Sequence, residues 1–304
     1  MRPTPPATPS AVVPAVAPVP VAGPRIHLGT QGWNYDAWTG AFYPTGTRAA
    51  DYLAVYARAF GTVEVDATFY AVPSEATVRG WAARTPPGFR FALKLPQALT
   101  HERHLRGGDD VLESFLDRAR LLGPKLGPVL VQLGPDFGPA ELPALARFLP
   151  KLPGDVHFAV EFRDRAWLAD GALATSVLAL LADHGATPAL SDGRWIPRRW
   201  IFRLAERMAE RVAAQGGASA GAAYVRWMGA NRDLVDYSRI QIDRTRELDA
   251  WADVLRALAA MVGVYGYVNN HFAGHSPQSV RDLQRRLGQP LVPPEELGEQ
   301  LTLL

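Results

Sequence analysis

Eight short runs of apolar residues recur along the chain, and most of them end in polar residues. Near-continuous apolar runs of this length are typical of strands that are buried on both faces of a parallel sheet. We therefore predict eight strands, at residues 26–31, 62–66, 89–95, 128–133, 157–162, 187–191, 223–227 and 264–269.

Amphipathic segments with apolar residues at helical spacing lie between these runs. They predict helices at residues 49–60, 75–84, 109–122, 140–149, 172–184, 199–214, 246–261 and 277–287. Regular alternation of strands and helices is the pattern of parallel β-α units. Eight such units predict an α/β fold of the (β/α)8 TIM barrel class.

Polar side chains stand at the ends of most of these predicted strands. The carboxyl ends of the strands meet at one face of such a barrel, and active sites of this fold lie there. The set comprises Glu64, Asp66, Lys94, Gln132, Glu161, Arg163, Asp192, Arg226, Asn269 and Asn270. The sequence therefore predicts a functional site on this face.

The alternation of side chains along a strand indicates which of these groups face the barrel interior. In the second strand Glu64 and Asp66 share one face, whereas Val63 and Val65 share the face that packs on helices. The same rule turns further residues inward: Lys94, Gln132, Glu161, Arg163, Arg226 and Asn269. Buried charges must pair with each other, with water or with a ligand. A purely structural ion-pair network is the alternative to an active site.

The length of 304 residues suits one barrel domain, because such barrels typically need ~250 residues. We assign residues 25–304 to the barrel and residues 1–24, which hold eight prolines, to a disordered Pro/Ala-rich tail. No run reaches ~18 apolar residues without a charge, so we predict no membrane span and expect a cytoplasmic protein. The sequence does not indicate the oligomeric state.

The charge and the cysteine content limit the kinds of binding site and reaction that the protein can have. The net charge is only +2, and we interpret the excess of arginine over the three lysines mainly as a compositional bias. The absence of cysteine excludes disulfides, thiolate metal sites and a cysteine nucleophile. Motifs for nucleoside triphosphates, dinucleotides and the α/β-hydrolase nucleophile are also absent.

Several motifs, in the same order along the chain, resemble the YecE-like proteins, a family of unknown function. They are G-T-Q-G-W-N-Y-D-A-W-T-G-A-F-Y-P (29–44), V-E-V-D-A-T-F-Y (63–70), L-T-H-E-R-H-L (99–105), A-V-E-F-R-D-R-A-W (159–167), Y-V-R-W-M-G (224–229) and V-N-N-H-F-A-G-H-S-P (268–277). The resemblance covers residues 26–288 and implies the same barrel, but it implies no activity. Asp66 stands where the family usually has Asn, and Met228 where His is common.

Four histidines follow predicted strands and are candidates for acid–base chemistry or metal binding. His101 and His104 follow the third strand, and His271 and His275 follow the eighth. We take His101 as a candidate catalytic residue. The alternative is a structural role, in which His101 makes a hydrogen bond that holds its loop in place. A divalent metal is permitted but not indicated, and its expected ligands are Glu64, Glu161 and His271. The metal content is therefore left open.

Aromatic residues crowd the predicted loops on the same face, so one wall of the pocket should be aromatic. Trp33 and Tyr35 lie in the first loop and Tyr70 follows the second strand. Such rings could stack on a base or sugar ring, while Arg163 or Arg226 holds a phosphate or carboxylate.

The first functional hypothesis is an enzyme that binds a phosphorylated or otherwise anionic ring-containing ligand. The ligand would be a nucleotide or a nucleic acid, with phosphodiester hydrolysis as the reaction, and the catalytic candidates are Glu64, Lys94, His101 and Glu161. The expected ligand-binding residues are Trp33, Tyr35, Tyr70, Gln132, Arg163, Asp192, Arg226, Asn269, Asn270 and His271. The alternatives are a sugar or hydroxy-acid isomerase, aldolase or lyase that uses Lys94 and Glu161, and a non-catalytic binding protein.

Overall fold

The computed structural model describes residues 26–214, 221–230 and 233–299. The strands in these residues are β1 (Ile26–Thr30), β2 (Thr62–Val65), β3 (Arg90–Lys94), β4 (Leu126–Gln132), β5 (Phe158–Glu161), β6 (Ala186–Gly193), β7 (Ala222–Gly229) and β8 (Gly263–Val268). Paired strands run parallel in the order β1-β8-β7-β6-β5-β4-β3-β2. The predicted disordered tail at residues 1–24 lies outside the described residues.

Each predicted helix overlaps one observed α-helix, and the bounds differ by a few residues. These are Tyr52–Ala59, Glu75–Ala83, Asp109–Arg120, Leu142–Phe148, Thr175–Asp183, Arg198–Ala214, Thr245–Ala259 and Ser276–Arg286. The predicted (β/α)8 barrel is therefore confirmed. The described residues also form the short helices Ala67–Tyr70, Asn270–Ala273 and Glu296–Glu299, which are too short to show a helical repeat of apolar positions.

Two apolar layers fill the barrel. The larger layer lies between the strands and the surrounding helices, and the outward apolar residues of each strand belong to it. A smaller layer plugs the barrel interior with Ala92, Leu130, Ala159, Ala189, Tyr224 and Tyr267. Small alanines leave room for the two tyrosine rings, whose centroids are 5.2 Å apart. The inward polar residues that follow along the strands therefore rest on a closed apolar floor.

A tyrosine side chain helps to close the barrel between β1 and β2. The two strands meet at an isolated bridge between Gln31 and Glu64. Below that bridge the hydroxyl of Tyr56 accepts a hydrogen bond from the Thr30 amide (2.8 Å) and donates one to the Thr62 carbonyl oxygen (2.9 Å). A Cβ atom on Gly29 would lie 2.0 Å from that same oxygen, so the close approach requires glycine. We call this connection the tyrosine seam.

No helix in the described ranges is long and apolar enough to cross a membrane.

Candidate functional site

A row of buried charged groups lies directly above the apolar floor of the barrel. Arg226 of β7 donates two hydrogen bonds to Glu64 of β2, from Nε to Oε2 (2.9 Å) and from Nη2 to Oε1 (2.7 Å). The Tyr224 hydroxyl, two residues earlier on the same face, donates to Glu64 Oε2 over 2.7 Å. All three residues are 0% exposed. This bidentate contact uses both carboxylate oxygens of Glu64.

The row continues from Arg226 to the opposite side of the barrel. Arg226 Nη1 donates to Glu161 Oε2 and to Gln132 Oε1, the latter over 3.1 Å. Arg163 Nε donates to the other Glu161 oxygen over 2.8 Å. Positive and negative charges therefore alternate along Glu64, Arg226, Glu161 and Arg163, which we call the charge row. Most donors of Arg226 are thus already used by protein acceptors.

The pKa values of Glu161 and Arg226, the two central members of the charge row, keep both groups charged at neutral pH. Burial alone would raise the pKa of Glu161, but Arg163 and Arg226 outweigh burial and lower it to about 2. Burial lowers the pKa of Arg226, while Glu161 and Glu64 raise it well above its usual value. Glu161 is therefore a carboxylate with little tendency to accept a proton, which does not suit a general base.

Arg163 is the member of the charge row that reaches a cavity. Its side chain is 14% exposed, against 0% for Arg226. Arg163 lines a pocket of about 340 Å³ at the carboxyl ends of β5 to β8, which we call the mouth pocket. The other lining residues are Arg194, Trp195, Met228, Gly229, Ala230, Asn269 and His271.

Backbone and side-chain contacts fix the wall of the mouth pocket after β7 and β8. Asn269 donates from Nδ2 to Gln31 Oε1 (2.9 Å), and its Oδ1 accepts from the His271 amide (2.9 Å). Gln31 in turn donates to the Met228 sulfur over 2.9 Å. A Cβ atom on Gly229, whose φ is +67°, would lie 2.1 Å from the His271 carbonyl oxygen. The loops that follow these two strands are therefore in direct contact.

A second polar group lies on the β2 and β3 side of the mouth. Lys94 Nζ is 3.1 Å from Asp66 Oδ1 and 4.8 Å from the ring centroid of Phe69. The same ring stands edge-on to His101, with centroids 5.0 Å apart. Burial first, and then the charge of Arg163, lowers the pKa of His101 below its usual value. His101 is therefore uncharged at neutral pH, as a proton acceptor must be.

Two predicted ligand-binding residues do not join this site. Asp192 lies on the helix-facing side of β6, where its Oδ2 accepts hydrogen bonds from Arg198 Nε (2.6 Å) and Trp251 Nε1 (2.7 Å). The carboxamide oxygen of Asn270 accepts from Trp38 Nε1 (3.2 Å) and from the amide and hydroxyl of Ser276 (3.0 and 2.7 Å). Both side chains hold neighbouring elements together instead of facing the pocket.

The aromatic residues that were predicted to form one wall of the pocket lie in separate parts of the structure. Trp33 packs edge-on against Trp81 at 6.0 Å between ring centroids, under the first loop. Tyr35 packs on Trp38 (4.7 Å), and its hydroxyl donates to the Gln31 carbonyl oxygen (3.1 Å). Tyr70 is 72% exposed. The pocket wall has its indole from Trp195 instead, which carries Arg194 over its face at 4.2 Å.

The expected metal ligands do not assemble. Glu64 and Glu161 are held by arginine donors, and His271 Nε2 is 3.1 Å from the Tyr237 hydroxyl. Across residues 26–214, 221–230 and 233–299 there is no group of three His, Asp or Glu side chains that could hold a metal ion. The donor set in the described mouth therefore does not fit the metal site that the sequence left open.

Four residues of the site were not predicted from the sequence. Gln31 directly follows β1, and Tyr224 shares the inward face of Arg226, so strand alternation was sufficient to find both. Arg194 and Trp195 belong to the turn after β6. No periodic pattern indicates whether a turn residue folds over the mouth.

Relatives of this chain are found across bacteria. Residues 27–300 match the family described as "Protein of unknown function DUF72". The UPF0759 protein YecE of Escherichia coli K12 is 28% identical over 271 residues, which cover 88% of this chain and 94% of that protein. The UPF0759 protein YunF of Bacillus subtilis 168 is 33% identical over 150 residues, which cover 47% of this chain and 52% of that protein.

Solved structures show the same fold. A DUF72 family protein from Thermotoga maritima superposes with a TM-score of 0.67 at 21% identity, covering 87% of this chain and 99% of that one. A DUF72 family protein from Enterococcus faecalis gives a TM-score of 0.66 at 18% identity, with 88% and 98% covered. The family match extends over nearly all of the described residues, and the resemblance to YecE-like proteins is confirmed. The chain belongs to the DUF72 family, whose function is unknown.

Proposed function

We propose that the protein is an enzyme that binds a small anionic, ring-containing ligand in the mouth pocket. The observation that carries this proposal is the geometry of Arg163. Its Nε is fixed by Glu161, and its two terminal nitrogens make no hydrogen bond to any residue in the described ranges. A guanidinium that is held in place at the edge of a cavity of about 340 Å³ is a binding group for an anion.

The walls of the mouth pocket suit a ring. Trp195 offers an indole and Met228 a polarisable thioether, and both side chains adapt well to flat apolar groups. His271 and Asn269 supply polar groups to the same lining. A ligand with one anionic end and one flat end would therefore contact Arg163 and the Trp195 wall at the same time.

His101 is the group that supports acid–base catalysis on such a ligand. Its lowered pKa keeps the imidazole neutral at physiological pH, and it lies near the cations Arg163 and Lys94. In the hydrolysis of a phosphodiester, His101 would accept a proton from the water that attacks phosphorus, while the two cations stabilise the developing negative charge. The bond from phosphorus to the leaving oxygen would break, and the protonated imidazole would return the proton to that oxygen. The ligand would then be a nucleotide or the end of a nucleic acid in the cytoplasm.

The isomerase, aldolase or lyase alternative depends on Lys94 as a nucleophile. Lys94 Nζ is engaged by Asp66 at 3.1 Å, so that contact would have to break before Nζ could attack a carbonyl carbon. The non-catalytic alternative uses the same pocket, and the measurement of turnover separates it from the enzyme.

Binding of a panel of ring-bearing anions, measured by calorimetry, tests the proposal. The panel contains a nucleoside monophosphate, phenyl phosphate and benzoate. Charged hydrogen bonds contribute ~1.5–3 kcal/mol, so Arg163→Met should weaken binding about ten- to a hundredfold. Arg79→Met is the matched control, because Arg79 pairs with Glu75 on the exposed helix Glu75–Ala83. Unchanged affinity in Arg163→Met, or no binding by any member of the panel, would refute the anion site.

Turnover is tested separately with His101→Asn. If His101 is the base, the rate of phosphodiester cleavage in the unmodified protein rises with pH through a pKa below 6.5. The rate of the variant should not show this rise. A variant with the same pH profile would show that His101 does not transfer the proton.

A further inference from the structure

We infer that the anion recognised by the mouth pocket is a carboxylate and not a phosphate, so that the ligand is a ring-bearing carboxylic acid. This inference rests on the anion site of the proposed function and specifies its ligand: a carboxylic acid takes the place of the nucleotide, and the phosphodiester reaction then does not apply. Three features carry it: the loops after β7 and β8, the pairing of the cations, and the geometry of the donors that Arg163 leaves open.

The first feature concerns the position where barrels commonly bind phosphate, between the last two loops and the N-terminus of a short extra helix. In this chain the Asn269 side chain occupies the amide of His271, at the start of the short helix Asn270–Ala273. The loops also touch each other, because a Cβ atom on Gly229 would lie 2.1 Å from the His271 carbonyl oxygen. The amides of His271 and Phe272 at the start of this helix are therefore already used by Asn269 and do not cradle a phosphate.

The second feature is the balance of charge. Lys94 faces Asp66, and both carboxylate oxygens of Glu161 lie against Arg163 and Arg226. A dianionic phosphate on Arg163 would bring two negative charges close to Glu161, whereas a carboxylate brings one. The charge row and the Lys94–Asp66 pair sum to zero, and Arg194, which keeps its positive charge over the face of Trp195, leaves the mouth with one net positive charge. The mouth is thus matched to a monoanion.

The third feature is the shape of the open donors. Glu161 takes the Nε of Arg163, and the edge formed by its two terminal nitrogens remains for a ligand. Two parallel N–H groups match two oxygens of one carboxylate or of one phosphate, so this edge orients the ligand and the balance of charge selects the carboxylate. The pocket of about 340 Å³, whose lining includes Trp195 and Met228, then has room for one ring.

Matched pairs of small molecules test the inference. Benzoate and phenyl phosphate carry the same ring, and at pH 7.5 the first is a monoanion and the second mainly a dianion. We expect the full-length protein to bind benzoate at least tenfold more tightly than phenyl phosphate in calorimetry. Arg163→Met should lose about tenfold in benzoate affinity, and Arg163→Lys should lose nearly as much because lysine keeps the charge without the paired donors. Arg79→Met should bind like the unmodified protein.

The outcomes are distinguishable. Tighter binding of phenyl phosphate that still depends on Arg163 would overturn the carboxylate inference and leave the proposed function standing. Binding of neither compound in an Arg163-dependent manner would overturn both. Equal affinity of Arg163→Lys and the unmodified protein for benzoate would also overturn the inference, since charge alone would then be sufficient. Both variants should fold, because Glu161 keeps its ion pair with Arg226.

Discussion

The tyrosine seam makes a prediction about stability. Tyr56→Phe removes only the hydroxyl that accepts from the Thr30 amide at 2.8 Å and donates to the Thr62 carbonyl oxygen at 2.9 Å. The buried Thr30 N–H then lacks its acceptor, which costs about 1–3 kcal/mol, and the lost bond to Thr62 adds about 1 kcal/mol. We therefore expect the free energy of unfolding to fall by about 2–4 kcal/mol, while the ring keeps its place in the core.

Urea denaturation followed by tryptophan fluorescence measures this change, and amide exchange at Thr30 locates it. Tyr52→Phe is the matched control on the same helix, because the Tyr52 hydroxyl contacts Asp36 and Thr39 in a loop that solvent reaches. Its loss should cost less than about 1 kcal/mol, since water can replace the lost partner. Equal destabilisation by the two variants would refute the role of the seam in closing the barrel.

Other predictions concern the charge row and the chain ends. The pKa of Glu161 falls from 4.5 to about 2 on folding. The ionised Glu161 therefore contributes fully to stability above pH 4.5, and this contribution is lost as the pH drops towards 2. The stability of Glu161→Gln, measured by thermal melting, should depend less on pH in this window. Arg226→Met should lower the free energy of unfolding by about 3–5 kcal/mol in urea, because it leaves Glu64 buried without its cation; a loss below about 1 kcal/mol would contradict this. Asp192→Asn should leave benzoate affinity in calorimetry unchanged, since Asp192 faces the helix Thr245–Ala259. Deletion of residues 1–24 should leave the melting temperature unchanged, and a drop of several degrees would show that this segment docks on the barrel.

The strands and the charge row could be predicted from the sequence because both follow from a period of two residues. Alternation along β2 and β5 correctly turned Glu64 and Glu161 away from the helices, where a charge would be costly. The same alternation applied to β6 places Asp192 outside, because Ala189 belongs to the interior layer and Asp192 is three positions later.

Which arginine reaches the mouth pocket could not be predicted. Arg163 and Arg226 both face inward, and their different roles depend on depth. Arg226 lies within β7, whereas Arg163 lies two residues beyond the end of β5 and therefore reaches the mouth. Depth depends on the register between strands, which is a long-range property. The loop residues Arg194 and Trp195 were missed for a related reason, since the direction of a turn depends on what it packs against.

The alternation of charge along Glu64, Arg226, Glu161 and Arg163 also constrains how this protein can evolve. The row sums to zero, so a mutation that neutralises one inner member leaves an unbalanced charge in a closed interior. Single substitutions at the inner positions of the charge row are therefore selected against, and we expect an acid and an arginine of the row to be replaced together. Related sequences that lack the arginine of β7 should also lack one of its acids, and their pockets should have lost the support that holds the arginine at the mouth.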